Sequence, residues 1–285
     1  MTSTNAGTDA AASAYKSASE LPADLRDALG TLLLSLADNK RLLGIRYSDW
    51  ILGAPSVEAG IACSAMAQDE WGHGRIVYSM LKDFDRDPHE LEHERESDAY
   101  RNVSLLDADV SSWPDLLALN LLLDTALTVQ FEALHDSLFE PIHYKVRKLL
   151  DEERFHFEHA RGWTTRLGET EAGRDAMRDA FTRAWNACQT WFGPDDDPVS
   201  TTLAAAGIVS GDATAVRDRW LERLGPSLVA VGLDLVRCED GAWVSATEPD
   251  WSGWSAERRR AAEGGPDDDT LARVRGDRNR SLLMD

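Results

Sequence analysis

The sequence predicts an all-α chain whose backbone is four long helices in two antiparallel pairs. Three observations predict this. Period-2 alternation is almost missing, and the only strand candidates are short pieces at 233–236 and 243–244. Apolar residues recur instead at helical spacing over long stretches. Turn signals then divide those stretches: Gly53-Ala54-Pro55-Ser56, the Asp85 to Pro88 segment, Pro141 and Gly168.

The first helix is expected over 24–52, where Leu25, Leu29, Leu32, Leu33, Leu36, Leu43, Ile45 and Trp50 form a broad apolar stripe. Ser56 is the expected N-cap of a second helix over 57–84. Residues 89–101 read as a charged surface helix, and 102–112 as a loop. Ser112-Trp113-Pro114-Asp115 marks the start of a long apolar helix, with Pro in its first turn. Its apolar run is interrupted by Asn120, Asp124 and Thr125, which predicts a core helix rather than a membrane span. A fourth helix is expected over 142–167, with Gly168 as its stop. A further helix follows over 170–192, then shorter ones over 199–207 and 212–237. The expected organisation is a disordered segment over 1–22, a helical domain over 23–240 and a polar, acidic, loosely attached tail over 241–285.

Composition narrows the function. The 285 residues include 50 acidic and 30 basic side chains, for a formal net charge of −20. A polyanion would meet like charge over most of such a surface, which argues against nucleic acid as a partner. The apolar share of 43% is enough for a sizeable core. Only five of the basic residues are Lys, and an Asp-rich, Lys-poor surface suits a high-salt cytoplasm where screening removes self-repulsion. No secretory signal is visible. The three cysteines are dispersed and form neither a CxxC site nor a disulfide framework, which points to the cytosol.

The chemistry lies in paired Glu-x-x-His motifs. On a helix, positions i and i+3 share a face, so one carboxylate and one imidazole can address the same ion. The motif occurs five times, so position must choose between the copies. Glu90/His93 lies in the charged segment, Glu140/His143 straddles Pro141, and Glu132/His135 is the strongest decoy. Glu70/His73 and Glu153/His156 sit inside long helices. A single such pair is more often a hydrogen-bonded core pair. Two pairs, each with a carboxylate on the partner helix, match the di-iron recipe of ferritin-like bundles. Oxygen and imidazole donors without thiolates suit iron or manganese.

In an antiparallel hairpin, facing residues lie at equal distances from the turn. Glu70 follows Ala54 by 16 residues, and the same count backwards reaches Asp38. Both would sit roughly 24 Å from the turn, which makes Asp38 the first-helix carboxylate. For the second hairpin, spacing leaves Asp124 and Glu132 both open. Burial favours Asp124, because a carboxylate within Leu121-Leu122-Leu123-Asp124-Thr125-Ala126-Leu127 is costly unless paired, protonated or bound to metal. The expected metal ligands are therefore Asp38, Glu70, His73, Asp124, Glu153 and His156.

At these residues the sequence resembles a known family. Gln68-Asp69-Glu70-x-Gly72-His73-Gly74 with Tyr78-Ser79, and Glu152-Glu153-x-Phe155-His156, are similar to the catalytic ferritin-like subunit of the multicomponent phenylacetyl-CoA epoxidase of phenylacetic acid degradation. There, an Asp precedes the second motif by the 29 residues that separate Asp124 from Glu153 here. Leu36-Ala37-Asp38, Arg46 to Trp50, Tyr100-Arg101-Asn102-Val103 and Gly162-Trp163 resemble the sister structural subunit more closely. The resemblance covers about 24–240. It implies a ferritin-like bundle with extra C-terminal helices, a di-iron centre and O2-dependent ring epoxidation of an aromatic acyl-CoA. It further implies a homologous ferritin-like subunit, a ferredoxin-type reductase and an oligomeric assembly. The first-helix Glu of the catalytic protein would fall near Lys40 or Arg41, so Asp38 has to substitute from a turn away. Two alternatives stay open: a metal-poor structural subunit, and a ferritin-like di-iron protein with another substrate.

Overall fold

The computed structural model describes residues 14–277. The expected four-helix bundle with added C-terminal helices is present. Helices α1 (Ala23–Asp49) and α2 (Val57–Met80) form the first antiparallel pair. Ser56 Oγ accepts the Ala59 N–H, so the predicted N-cap starts α2. The two axes approach closely where α1 carries Gly44. A Cβ there would lie 2.5 Å from Trp71 Cδ1, so only Gly lets the Trp71 ring lie against the α1 backbone.

The second pair begins with an apolar rod. It consists of α4 (Trp113–Ala118), a π-helical stretch (Leu119–Asp124) and α5 (Thr125–Ala133). The rod is long and apolar enough by composition to cross a membrane, but almost all of it is buried inside the bundle. Helix α6 (Glu140–Gly168) runs back beside it, with Pro141 in its first turn. Pro141 therefore opens this helix rather than preceding it, because a first-turn N–H has no intrahelical partner to lose.

Helices α7 (Glu171–Thr190), α8 (Pro198–Ala205) and α9 (Ala213–Ala230) add to the bundle. Trp185 and Trp220 stack with centroids 4.8 Å apart, and the buried Trp220 Nε1–H donates to the Leu122 carbonyl in the π-helical stretch. The two short strand candidates become a hairpin, β1 (Val236–Glu239) against β2 (Ala242–Ser245), with Val236 opposite Ser245. Its turn uses Asp240 and Gly241, both at positive φ, the pattern of a tight hairpin turn.

Three expectations are corrected. The charged helix over 89–101 is only α3 (Pro88–His93). Beyond it the chain lies over α1, whose buried polar groups take its backbone. Asp38 accepts the Arg101 N–H, Asn39 accepts the Val103 N–H, and Ser35 donates to the Arg101 carbonyl. The disordered segment expected over 1–22 is ordered from Tyr15 on. The Tyr15 N–H donates to the Leu138 carbonyl, and Ala18 and Leu21 are buried; residues 1–13 lie outside the described residues. The tail expected to be loose is packed. Arg259 is buried in an ion pair with Asp197, and Arg260 is paired with Asp107. Helix α10 (Asp268–Arg275) buries Thr270, Leu271 and Val274 against the bundle, where Thr270 Oγ1 accepts from Arg46 of α1. Polar composition concealed this, since Arg and Asp can bury when they pair with each other. Residues 278–285 lie outside the described residues.

Candidate functional site

Both bundle pairs deliver charged side chains to one buried level. Helix α2 contributes Glu70 and His73, the π-helical stretch ends on Asp124, and α6 contributes Glu153 and His156. All five are essentially shielded from solvent. Ligand atoms of Glu70, Asp124, Glu153 and His156 fall within 4.8 Å of one another, so four donors of the expected set do converge.

Helix α1 contributes a cation to this level. Lys40 Nζ lies 2.9 Å from Glu70 Oε1, 2.6 Å from Asp124 Oδ1 and 2.5 Å from Glu153 Oε1. All three protons of the ammonium are thereby engaged. Burial opposes the Lys40 charge, but Asp124, Glu153 and Glu70 outweigh it and hold the group well above its ordinary value. Asp124 is pulled the other way: burial would raise it, yet Lys40 and His156 keep it well below the usual carboxylate range. Glu70 is pushed up to about 7 by burial and by the Asp124 charge, with Lys40 opposing.

Each imidazole has a carboxylate beside each nitrogen. His156 Nδ1 lies 3.0 Å from Asp124 Oδ2, and its Nε2 lies 3.4 Å from Asp69 Oδ2. His73 Nε2 lies 2.8 Å from Glu152 Oε2, and its Nδ1 lies 3.0 Å from Glu153 Oε1. Burial disfavours their charged forms, but the flanking carboxylates win: His73 is raised, and His156 is raised well above the ordinary histidine value. Both shifts favour the protonated form of the ring.

Asp38 is not part of this cluster. It is buried on a different face of α1, bound by the Arg95 guanidinium, by the Tyr78 hydroxyl at 2.6 Å and by the Arg101 N–H at 2.8 Å. Counting residues from the turn gave only an approximate level, since Asp38 meets Tyr78 rather than Glu70. It could not fix direction: two residues turn a helix by about 200°, so Lys40 faces the cluster and Asp38 faces away. The decoy Glu132 pairs with Arg223 at 2.7 Å, which leaves Asp124 as the carboxylate of the second pair.

Sequence reasoning also missed supporting partners. The Tyr47 hydroxyl donates to Asp124 Oδ2 at 2.8 Å, and Thr128 Oγ1 donates to Glu153 Oε2 at 2.9 Å. Both were signalled by helix period: Tyr47 lies seven residues from Lys40, and Thr128 four from Asp124. Asp69 and Glu152 each neighbour a motif Glu, but their roles depend on contacts across helices.

The donor set does not match a two-ion centre. That recipe takes a carboxylate from each of four helices with imidazole lone pairs aimed inward. Here the first helix supplies an ammonium among the three carboxylates, and the imidazole nitrogens are engaged with carboxylates. The oxygen-rich cluster is built around a cation, and Lys40 provides it.

Comparisons with known proteins agree with the fold and motifs. A family described as "Phenylacetic acid catabolic protein" matches residues 8–248. One component of the 1,2-phenylacetyl-CoA epoxidase of Escherichia coli (strain K12) is 26% identical over 190 residues, covering 66% of this chain and 75% of that protein. Another component of the same epoxidase is 26% identical over 188 residues, covering 65% of this chain and 61% of that protein, so the match spans less than two thirds of its length. Helical bundle, paired motifs and a match over most of its length together place this chain in the phenylacetic acid catabolic protein family.

Proposed function

We propose that this chain is a structural component of a phenylacetyl-CoA epoxidase-type oxygenase complex, with a metal-free bundle that supports a homologous catalytic subunit. The observation that carries this reading is Lys40: its ammonium is bonded to Glu70, Asp124 and Glu153, three of the four carboxylates that an iron pair would need. The residues of the buried cluster then serve the fold. Lys40 neutralises the carboxylates, His73 and His156 cross-link α2 to α6, and Tyr47 and Thr128 fix the orientation of Asp124 and Glu153. Relatives that are subunits of one epoxidase support assembly with further subunits.

A second reading is favoured by the convergence of Glu70, Glu153 and His156 on Asp124. In it the chain is itself the di-iron oxygenase subunit, acting on an aromatic acyl-CoA with a ferredoxin-type reductase. Anaerobic reconstitution with Fe(II), followed by metal analysis, separates the two. The structural reading expects far less than one iron per chain in the wild type. It also expects clear uptake by Lys40→Glu, which returns a carboxylate to the first helix. Two irons per wild-type chain would overturn the structural reading and establish the second.

A further inference from the structure

A second cluster of metal-type donors lies outside the buried site, at the turn between α5 and α6. One nitrogen each of His135 and His143 and one oxygen of Asp136 fall within 4.8 Å of one another. The two histidine rings are 5.5 Å apart between centroids. His143 lies ten residues before Glu153 on α6, roughly 15 Å along the helix, so this cluster is separate from the Lys40 cluster.

Two features make it more than a chance grouping of surface groups. The first is tautomer control. His143 Nδ1 lies against the backbone carbonyl of His135, which can only accept a hydrogen bond. A neutral His143 therefore carries its proton on Nδ1 and presents a lone pair at Nε2. His135 Nδ1 lies 2.8 Å from Asp136 Oδ1, so this nitrogen and this carboxylate oxygen already face each other, as two ligands of one ion would. A histidine oriented through its second nitrogen by a carbonyl or carboxylate is the usual arrangement around a bound transition metal. The second feature is rigidity. The turn is tied down by backbone bonds from Leu138 N–H to the Gly207 carbonyl, from Tyr15 N–H to the Leu138 carbonyl and from Glu140 N–H to the Tyr15 carbonyl. Two other parts of the chain, at Tyr15 and Gly207, thus anchor the backbone between the two histidines, which lowers the ordering cost of binding an ion.

We propose that His135, Asp136 and His143 form a binding site for a borderline divalent transition-metal ion of the zinc, nickel or copper type. Two imidazoles with one carboxylate suit this class, while thiolates are lacking and too few oxygens converge for calcium or magnesium. His135 and Asp136 are solvent-accessible, so water completes the coordination shell. The chain's charge of −20 raises the local concentration of cations.

Equilibrium dialysis of the full chain against zinc chloride tests this, with histidine ring NMR signals recorded during the titration. The expected result is one zinc whose affinity falls at least about tenfold in both His135→Gln and His143→Gln. The His135 and His143 ring signals should shift, and those of His73 and His156 should stay fixed. Neither His135 nor His143 belongs to the buried core, and unchanged circular dichroism will show that the variants fold. Equal zinc binding by wild type and both variants, or shifts confined to His73 and His156, would overturn the proposal.

Discussion

Glu70 shows how a single buried residue sets a property of the whole fold. Burial beside Asp124 pushes its carboxyl from the usual 4.5 up to about 7. Between those values the folded chain retains a proton that the unfolded chain has released. The contribution of Glu70 to stability is therefore complete below about pH 4.5 and is lost as the pH rises towards 7. His156 and His73, also raised, act with the same sign and extend the loss upward from the ordinary histidine value. Asp124 acts oppositely, and its contribution disappears only in strong acid. The urea midpoint should consequently decline from pH 5 to pH 8. In Glu70→Gln, which has no proton to lose, the decline should be shallower, by an amount on the order of 1–3 kcal/mol. Parallel profiles for the two proteins would refute this assignment.

At the scale of elements, the helices were legible and their azimuths were not. Periodicity, Ser56, Ser112 and Gly168 located the four long helices, because capping and amphipathic spacing are local properties. Asp124, rather than Glu132, lies in the buried cluster, since a carboxylate amid leucines is expensive wherever the helix points. Asp38 failed because facing across a hairpin depends on rotation, and rotation is set by packing. That packing turns on Gly44, where α1 receives the Trp71 ring. Gly44→Ala should force the two helices apart and destabilise by about 1–3 kcal/mol. Gly72→Ala, one residue from that same Trp, has nothing within 4 Å of the added methyl. It should stabilise by up to about 1 kcal/mol through helix propensity. Thermal melts of the pair should move in opposite directions; a shared direction would show that the α1–α2 contact is not the constraint.

Over the whole molecule, charge divides into two populations. The buried carboxylates Asp38, Glu70, Asp124, Asp197 and Glu153 each have a cationic partner within the described residues. The remaining excess of acid is largely peripheral, where it repels itself at a distance that salt can screen. The melting temperature should therefore rise with added potassium chloride, from about 50 mM to about 2 M, wherever the protein originates. A flat or falling profile would show that surface repulsion is not a material cost. The C-terminal segment was misread for a related reason. Composition records how polar a stretch is, but not that Arg259 and Arg260 have partners waiting 62 and 153 residues away.

The tethered ammonium of Lys40 has a consequence for how such a protein lives. A coordinated ion must be delivered, can be stripped by a chelator and can be altered by oxidation. A lysine is made with the chain and cannot dissociate from it. With the metal-free bundle proposed above, the core can be completed as soon as the chain leaves the ribosome, in an iron-starved cell as readily as in a replete one. Under the structural reading proposed above, an iron-dependent partner would find its scaffold already folded.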